Sequence, residues 1–213
     1  MVIRVEPGDG TDWQALDLAE RRADRAAARA FVSACQSGDA MALLHAVDLI
    51  NHTSVDGWRL AMRGVGRLSG VDQAIRHVFL HVWIESKTLA RRVGDKRALA
   101  AALRVLMPGN YRGPALRLFR GAQADEQRCR LYGFSWTTDF QTAHDFATER
   151  QRFPSGGIVL ETTAPPEAVL LVREAEGYYD EGEVVVDPYK LGRAAVRERL
   201  PSTRPTQMAA SRR

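Results

Sequence analysis

The chain has 213 residues, enough for one domain with an extension or for two small lobes, and its 45% hydrophobic and 26% charged residues are those of an ordinary globular protein. Thirty Lys and Arg against 26 Asp and Glu leave a net charge of +4, too mild and too evenly spread to argue for nucleic acid or a membrane surface. No apolar run approaches the ~18 residues of a membrane helix, the polar start lacks a signal-peptide core, and Cys35 and Cys129 are too few and too scattered for a disulfide framework or a zinc site. The expected location is the cytoplasm, or a target cell reached without a conventional signal.

Residues 1–11, with Pro7, Gly8 and Gly10, read as a flexible entry. Asp12 is placed to cap a helix from Trp13 to Gln36, along which Leu16, Ala19, Ala23, Ala27 and Phe31 fall on one side. A second helix is expected over 40–49, then a loop from Asn51 to Gly57. Gly64, Gly66 and Gly70 have neither dinucleotide-fingerprint spacing nor a strand before them, and predict a flexible connector. Val71 to Ala90 carries the strongest helical pattern, through Ile75, Val78, Phe79, Val82 and Trp83. His77 and His81, four apart within it, have metal-ligand spacing; with no third ligand evident nearby and Val, Phe and Leu around them, they read as part of a packed face. A further helix from Asp95 to Leu106 is stopped by Pro108-Gly109, which closes a helical lobe over 12–108.

From here the apolar period falls from about 3.6 to 2. Strands are predicted over Tyr111–Gly121, Arg130–Thr137, Gly157–Thr162, Ala168–Val172 and Glu181–Val186. Asp139 is placed to cap a helix to about Glu149. The expected fold is therefore α+β, with a β-rich lobe over 109–200 and a disordered basic tail over 201–213.

Chemistry gathers on three of these strands. Glu181 and Glu183 are alternate residues, so on a strand they share a face, where two carboxylates repel unless they have a cationic partner or a task. Ahead of them stand Phe119-Arg120-Gly121 and Ser135-Trp136-Thr137. Arginine, Ser-x-Thr and Glu-x-Glu in this order, over roughly residues 110 to 190, resemble the Arg/Ser-Thr-Ser/Glu-x-Glu clade of ADP-ribosyltransferases.

That resemblance implies a split β-sheet binding NAD as substrate, no metal, and transfer of ADP-ribose to a protein with release of nicotinamide. It makes Glu183 the carboxylate that hydrogen-bonds the ribose 2′-hydroxyl and faces an oxocarbenium-like transition state. Glu181 would face the acceptor, and a glutamate there goes with an arginine acceptor. Arg120 would bind the NAD phosphates, Gly121 would admit the ligand close to the backbone, and Ser135 and Thr137 would line the nicotinamide ribose. Phe146 and Phe153 are candidate aromatic walls for nicotinamide, and Tyr178 and Tyr179 occupy the place of the family's substrate-recognition loop. Trp136 departs from the family's small polar residue, but alternation sends it to the opposite face from Ser135 and Thr137.

Two other readings accompany this one. Water as acceptor would make the protein an NAD glycohydrolase, and loss of catalysis would leave a module that binds protein or nucleic acid. The arginines form no stripe interleaved with aromatics, which argues against nucleic acid. A toxin with an antitoxin, a phage or prophage modifier of host proteins, and a defence component all fit the transferase reading.

Overall fold

The computed structural model of the chain describes residues 13–53, 55–86, 88–109, 111–128, 132–173 and 182–203. The chain is α+β and separates into a helical unit, Met1–Leu106, and a sheet-bearing unit, Met107–Arg213. Among the described residues no helix is long and apolar enough to cross a membrane.

The helical unit comprises α1 (Trp13–Ser37), α2 (Ala40–Thr53), α3 (Gly57–Val65), α4 (Gln73–Glu85), α5 (Leu89–Val93) and α6 (Lys96–Leu106). Its core centres on Phe31 of α1, which is fully buried and meets Trp58 of α3 and Phe79 of α4 edge to face, with ring centroids 5.7 and 6.5 Å apart. The stripe expected along α1 is buried only from Ala27 onward, and Leu16, Ala19 and Ala23 are exposed. Asp24 is instead buried. Its Oδ1 and Oδ2 accept hydrogen bonds from the backbone N–H groups of Val55 and Asp56 at 3.0 and 3.2 Å, which fixes the turn into α3 and satisfies the carboxylate.

The connector expected over Gly64 to Gly70 is present from Gly66 onward, and α3, which ends at Val65, takes in only Gly64. A Cβ on Gly64 would stand 2.5 Å from Cγ2 of Val32, and one on Gly66 would stand 2.8 Å from Cβ of Ala101. The missing side chains let α3 approach α1 on one side and α6 on the other. The helix expected over 71–90 also divides, α4 ending at Glu85 before the short α5. His77 and His81 are a further correction, because both are exposed on α4.

Cys35 is buried in α1, and burial pushes its thiol up to about 12. We expect an aromatic disulfide reagent at pH 8 to leave Cys35 unmodified in the native protein and to modify it at once in denaturant. Mass spectrometry of the Cys35 peptide checks this; rapid native labelling would mean that the helical unit opens.

The second unit holds one antiparallel sheet in the order β4-β5-β2-β1-β3-β6. Its strands are β1 (Leu116–Gln123), β2 (Ser135–Thr137), β3 (Gly157–Ala164), β4 (Val169–Val172), β5 (Glu183–Val186) and β6 (Ala195–Leu200), with α7 (Ala124–Arg128) and α8 (Phe140–Glu149) between them. One face carries Leu118, Trp136, Ile158, Leu160, Val184 and Val186 in a shared core. The other packs Phe119 and Val159 against Ala143 and Ala147 of α8. The first strand begins at Leu116 rather than Tyr111, after Gly113 and Pro114, since proline has no N–H to give a ladder. β6 has no counterpart among the predicted strands: Arg197, Glu198 and Arg199 mask its alternation, although its burial alternates along its whole length.

Asp139 begins α8. Its carboxylate accepts from the N–H groups of Gln141 and Thr142, at 3.2 and 2.8 Å, and from the Thr142 hydroxyl at 2.7 Å. These bonds, led by the Thr142 hydroxyl, hold the carboxyl below the ordinary aspartate range. The cap's contribution is therefore complete at neutral pH and is lost as acid protonates the folded group. Asp139→Ala is expected to destabilise this unit by about 1 kcal/mol in urea titrations at pH 7, with the difference shrinking toward pH 2.

Candidate functional site

The antiparallel register assembles one transverse row of side chains. Thr137 of β2 stands opposite Glu183 of β5 on one side and opposite Phe119 of β1 on the other, and Phe119 stands opposite Glu161 of β3. Residues directly opposite share a face of the sheet, so Glu183, Thr137, Phe119 and Glu161 lie side by side on the face that packs α8. Ser135 lies on the same face, opposite Val185, while Trp136 points the other way into the core and donates its indole N–H to the Gly133 carbonyl at 3.0 Å.

Each member of the row is held locally. The Thr137 hydroxyl oxygen, nearly buried, accepts the N–H of Asp139 at 3.0 Å, which couples the end of β2 to the cap of α8. Gly182 takes the left-handed conformation, φ +53°, immediately before β5, and so turns the chain into the strand that presents Glu183. The Glu183 side chain is 16% exposed and lies 3.6 Å from Nη1 of Arg173, whose backbone N–H donates to the Glu183 carbonyl at 3.0 Å. At the far end Glu161 accepts from Nε of Arg117 at 2.6 Å and sits 3.4 Å from Nε of Arg197. The Arg117 hydrogen bond, helped by both positive charges, holds the Glu161 carboxyl below the ordinary range. Phe140 of α8 closes on Phe119 edge to face at 5.5 Å.

The expected site residues separate into three groups. Ser135, Thr137 and Glu183 come together on one face of adjacent strands. Arg120 does not join them. It is one residue out of step with Phe119 and shares the side of Leu118, opposite Leu160 of the core. There its guanidinium lies against Gly133, where a Cβ would stand 2.4 Å from Cζ; it donates to the Ser135 carbonyl at 2.7 Å and pairs with Glu126 at 3.2 Å. Arg120 thus braces the strand that carries Ser135, from behind.

Gly121 is on the α8 face, but a Cβ there would stand 2.2 Å from the Ala143 carbonyl oxygen and 2.5 Å from the Ala147 nitrogen. The close approach expected of a ligand is made by the helix. Phe146 projects from α8 and is 36% exposed, and Phe153 lies past the end of that helix under the Arg152 guanidinium, 5.2 Å from its ring centroid. Glu181, Tyr178 and Tyr179 lie outside the described residues.

Sequence reasoning overlooks Arg173, the cation beside Glu183. Its signal is weak: Arg173 ends the apolar run Val169-Leu170-Leu171-Val172 and opposes Glu183 only once β4 and β5 pair. A partly buried carboxylate, a guanidinium and two hydroxyls on one face can together accept from sugar hydroxyls, hold an anionic group and stabilise a developing positive charge. A separate groove of about 460 Å³, lined by Arg63, Arg67, Arg97, Asp95, Gly66 and Ala101 among others, belongs to the helical unit and contains none of the expected site residues. Among the described residues no group of three or more His, Cys, Asp or Glu could hold a metal ion.

Comparison of the chain with models of protein families, with curated proteins and with solved structures gives no match.

Proposed function

We propose that the chain is a mono-ADP-ribosyltransferase that moves ADP-ribose from NAD to a protein, with arginine the favoured acceptor and nicotinamide released. The observation that carries this reading is the adjacency of the three motif-bearing strands at the middle of the sheet, with Thr137 directly opposite Glu183 and Ser135 on the same face. Breaking the bond between nicotinamide and ribose builds positive charge on the sugar, and the Glu183 carboxylate would counter that charge while accepting from the 2′-hydroxyl. Ser135 and Thr137 would hold the ribose. Arg173 is better placed than Arg120 to meet an NAD phosphate, since it lies on the Glu183 side, whereas Arg120 would support β2 from the opposite face. Glu181, two residues before Glu183, would face the acceptor.

A second reading draws on the same ion pair. Arg173 supplies the cationic partner that a lone carboxylate in a sheet wants, so the row would also serve a catalytically silent module that binds a protein. The test is to incubate the purified chain with a tagged NAD analogue and a bacterial lysate, then to blot for the tag and measure free nicotinamide. Labelled proteins support the transferase. Nicotinamide without labelled proteins indicates a glycohydrolase, and neither product favours the binding module.

A further inference from the structure

We propose that His77 and His81 form a two-histidine site for a tetrahedral divalent cation, Zn²⁺ in particular, on the exposed face of α4. The two residues are one helical turn apart and both face solvent, so a cation needs no opening of the fold to reach them. Their Nε2 atoms lie 3.4 Å apart, with the ring planes at 77°. Two nitrogens bound to zinc at 2.0–2.1 Å with a tetrahedral angle are separated by about 3.3–3.4 Å, whereas the right angle of a square-planar or octahedral ion would bring them to about 2.9 Å. The observed spacing therefore matches the edge of a zinc tetrahedron. The same 3.4 Å contact is a hydrogen bond at the long end of the range, so a cation bridging the rings would displace only a weak bond.

Neutral imidazole suits this ion, and the helix holds both ligands at the required spacing in advance. No third His, Cys, Asp or Glu joins the pair among the described residues, which leaves the other two coordination positions for water. Such a site is open, unlike the closed four-ligand sites that hold structural zinc. It is distinct from the row around Glu183, which belongs to the other unit, and rests on no assumption about that row.

The experiment is calorimetric titration of Zn²⁺ into the full chain, prepared without a histidine tag, and into His77→Ala, His81→Ala and the double variant. One zinc per chain is expected, with affinity falling about tenfold or more in either single variant. His52, which contacts Asp48, and His144, which lies 3.8 Å from Asp145 and 3.6 Å from Glu198, are competing places, and His52→Ala and His144→Ala are each expected to leave the titration unchanged. Circular dichroism checks that every variant keeps its helices, and the ring protons of His77 and His81 should shift together in NMR spectra of the native chain. Equal binding by the native chain and the double variant, or no binding by the native chain at millimolar zinc, would overturn the proposal.

Discussion

Glu183→Gln is expected to lower nicotinamide release from NAD by at least about a hundredfold while leaving the fold in place, the loss typical of removing one preorganised electrostatic contact to a transition state. Glutamine keeps the length of the side chain and one acceptor oxygen, so the change removes little except the charge that would face the ribosyl cation. The side effect on stability should be smaller than the loss of rate, because glutamine keeps an acceptor oxygen for Arg173 and the ion pair is already long at 3.6 Å. Activity and folding are thus expected to separate. The check is an initial-rate measurement at saturating NAD beside a urea titration of the same preparation. An unchanged rate would remove Glu183 from the chemistry and with it the transferase reading.

Gly121→Val is expected to act the other way, on stability first. The valine Cβ would fall 2.2 Å from the Ala143 carbonyl oxygen, 2.5 Å from the Ala147 nitrogen and 2.6 Å from the Phe146 Cβ. Two of these are backbone atoms of α8, which cannot rotate out of the way, so helix and strand must separate. Gly157 on the neighbouring strand faces the same obstacle, its Cβ position being 2.0 Å from the Ala147 carbonyl oxygen, which leaves the helix nowhere to slide. A loss of about 3 kcal/mol, the upper part of the usual range for overpacking, is expected in the urea midpoint followed by circular dichroism. A variant of native stability that had lost NAD binding would instead restore Gly121 to the role the family resemblance gave it.

The sequence is most legible where the physics is local. Helical spacing places α1, α2 and α6 closely, and the capping chemistry of Asp139 alone marks the start of α8. It misleads at Gly64, because glycine signals a loop and a close helix contact with the same letter. The face of Arg120 is legible in principle. Leu116, Leu118 and Arg120 alternate with Phe119, so an arginine that shares the side of Leu118 cannot share that of Phe119, whatever role the family pattern gives it. The row itself is not legible, since Thr137, Glu183 and Arg173 become neighbours only through strand pairing. Their register includes an irregularity between Val169 and Leu171 that no local pattern announces.

The order of strands in the sheet also decides when the row can exist. β2 and β5 are neighbours in space, yet the chain completes α8, β3 and β4 between them. Closing such long loops costs entropy before any contact rewards it, so this pairing forms late, after the helical unit, which precedes it in the chain and leaves the ribosome first. Until β5 emerges and inserts between β4 and β2, Thr137 has no carboxylate opposite it. On the transferase reading proposed above, a nascent chain, or one cut anywhere before Glu183, would therefore be silent toward NAD, and activity would arise only once β5 has joined the sheet.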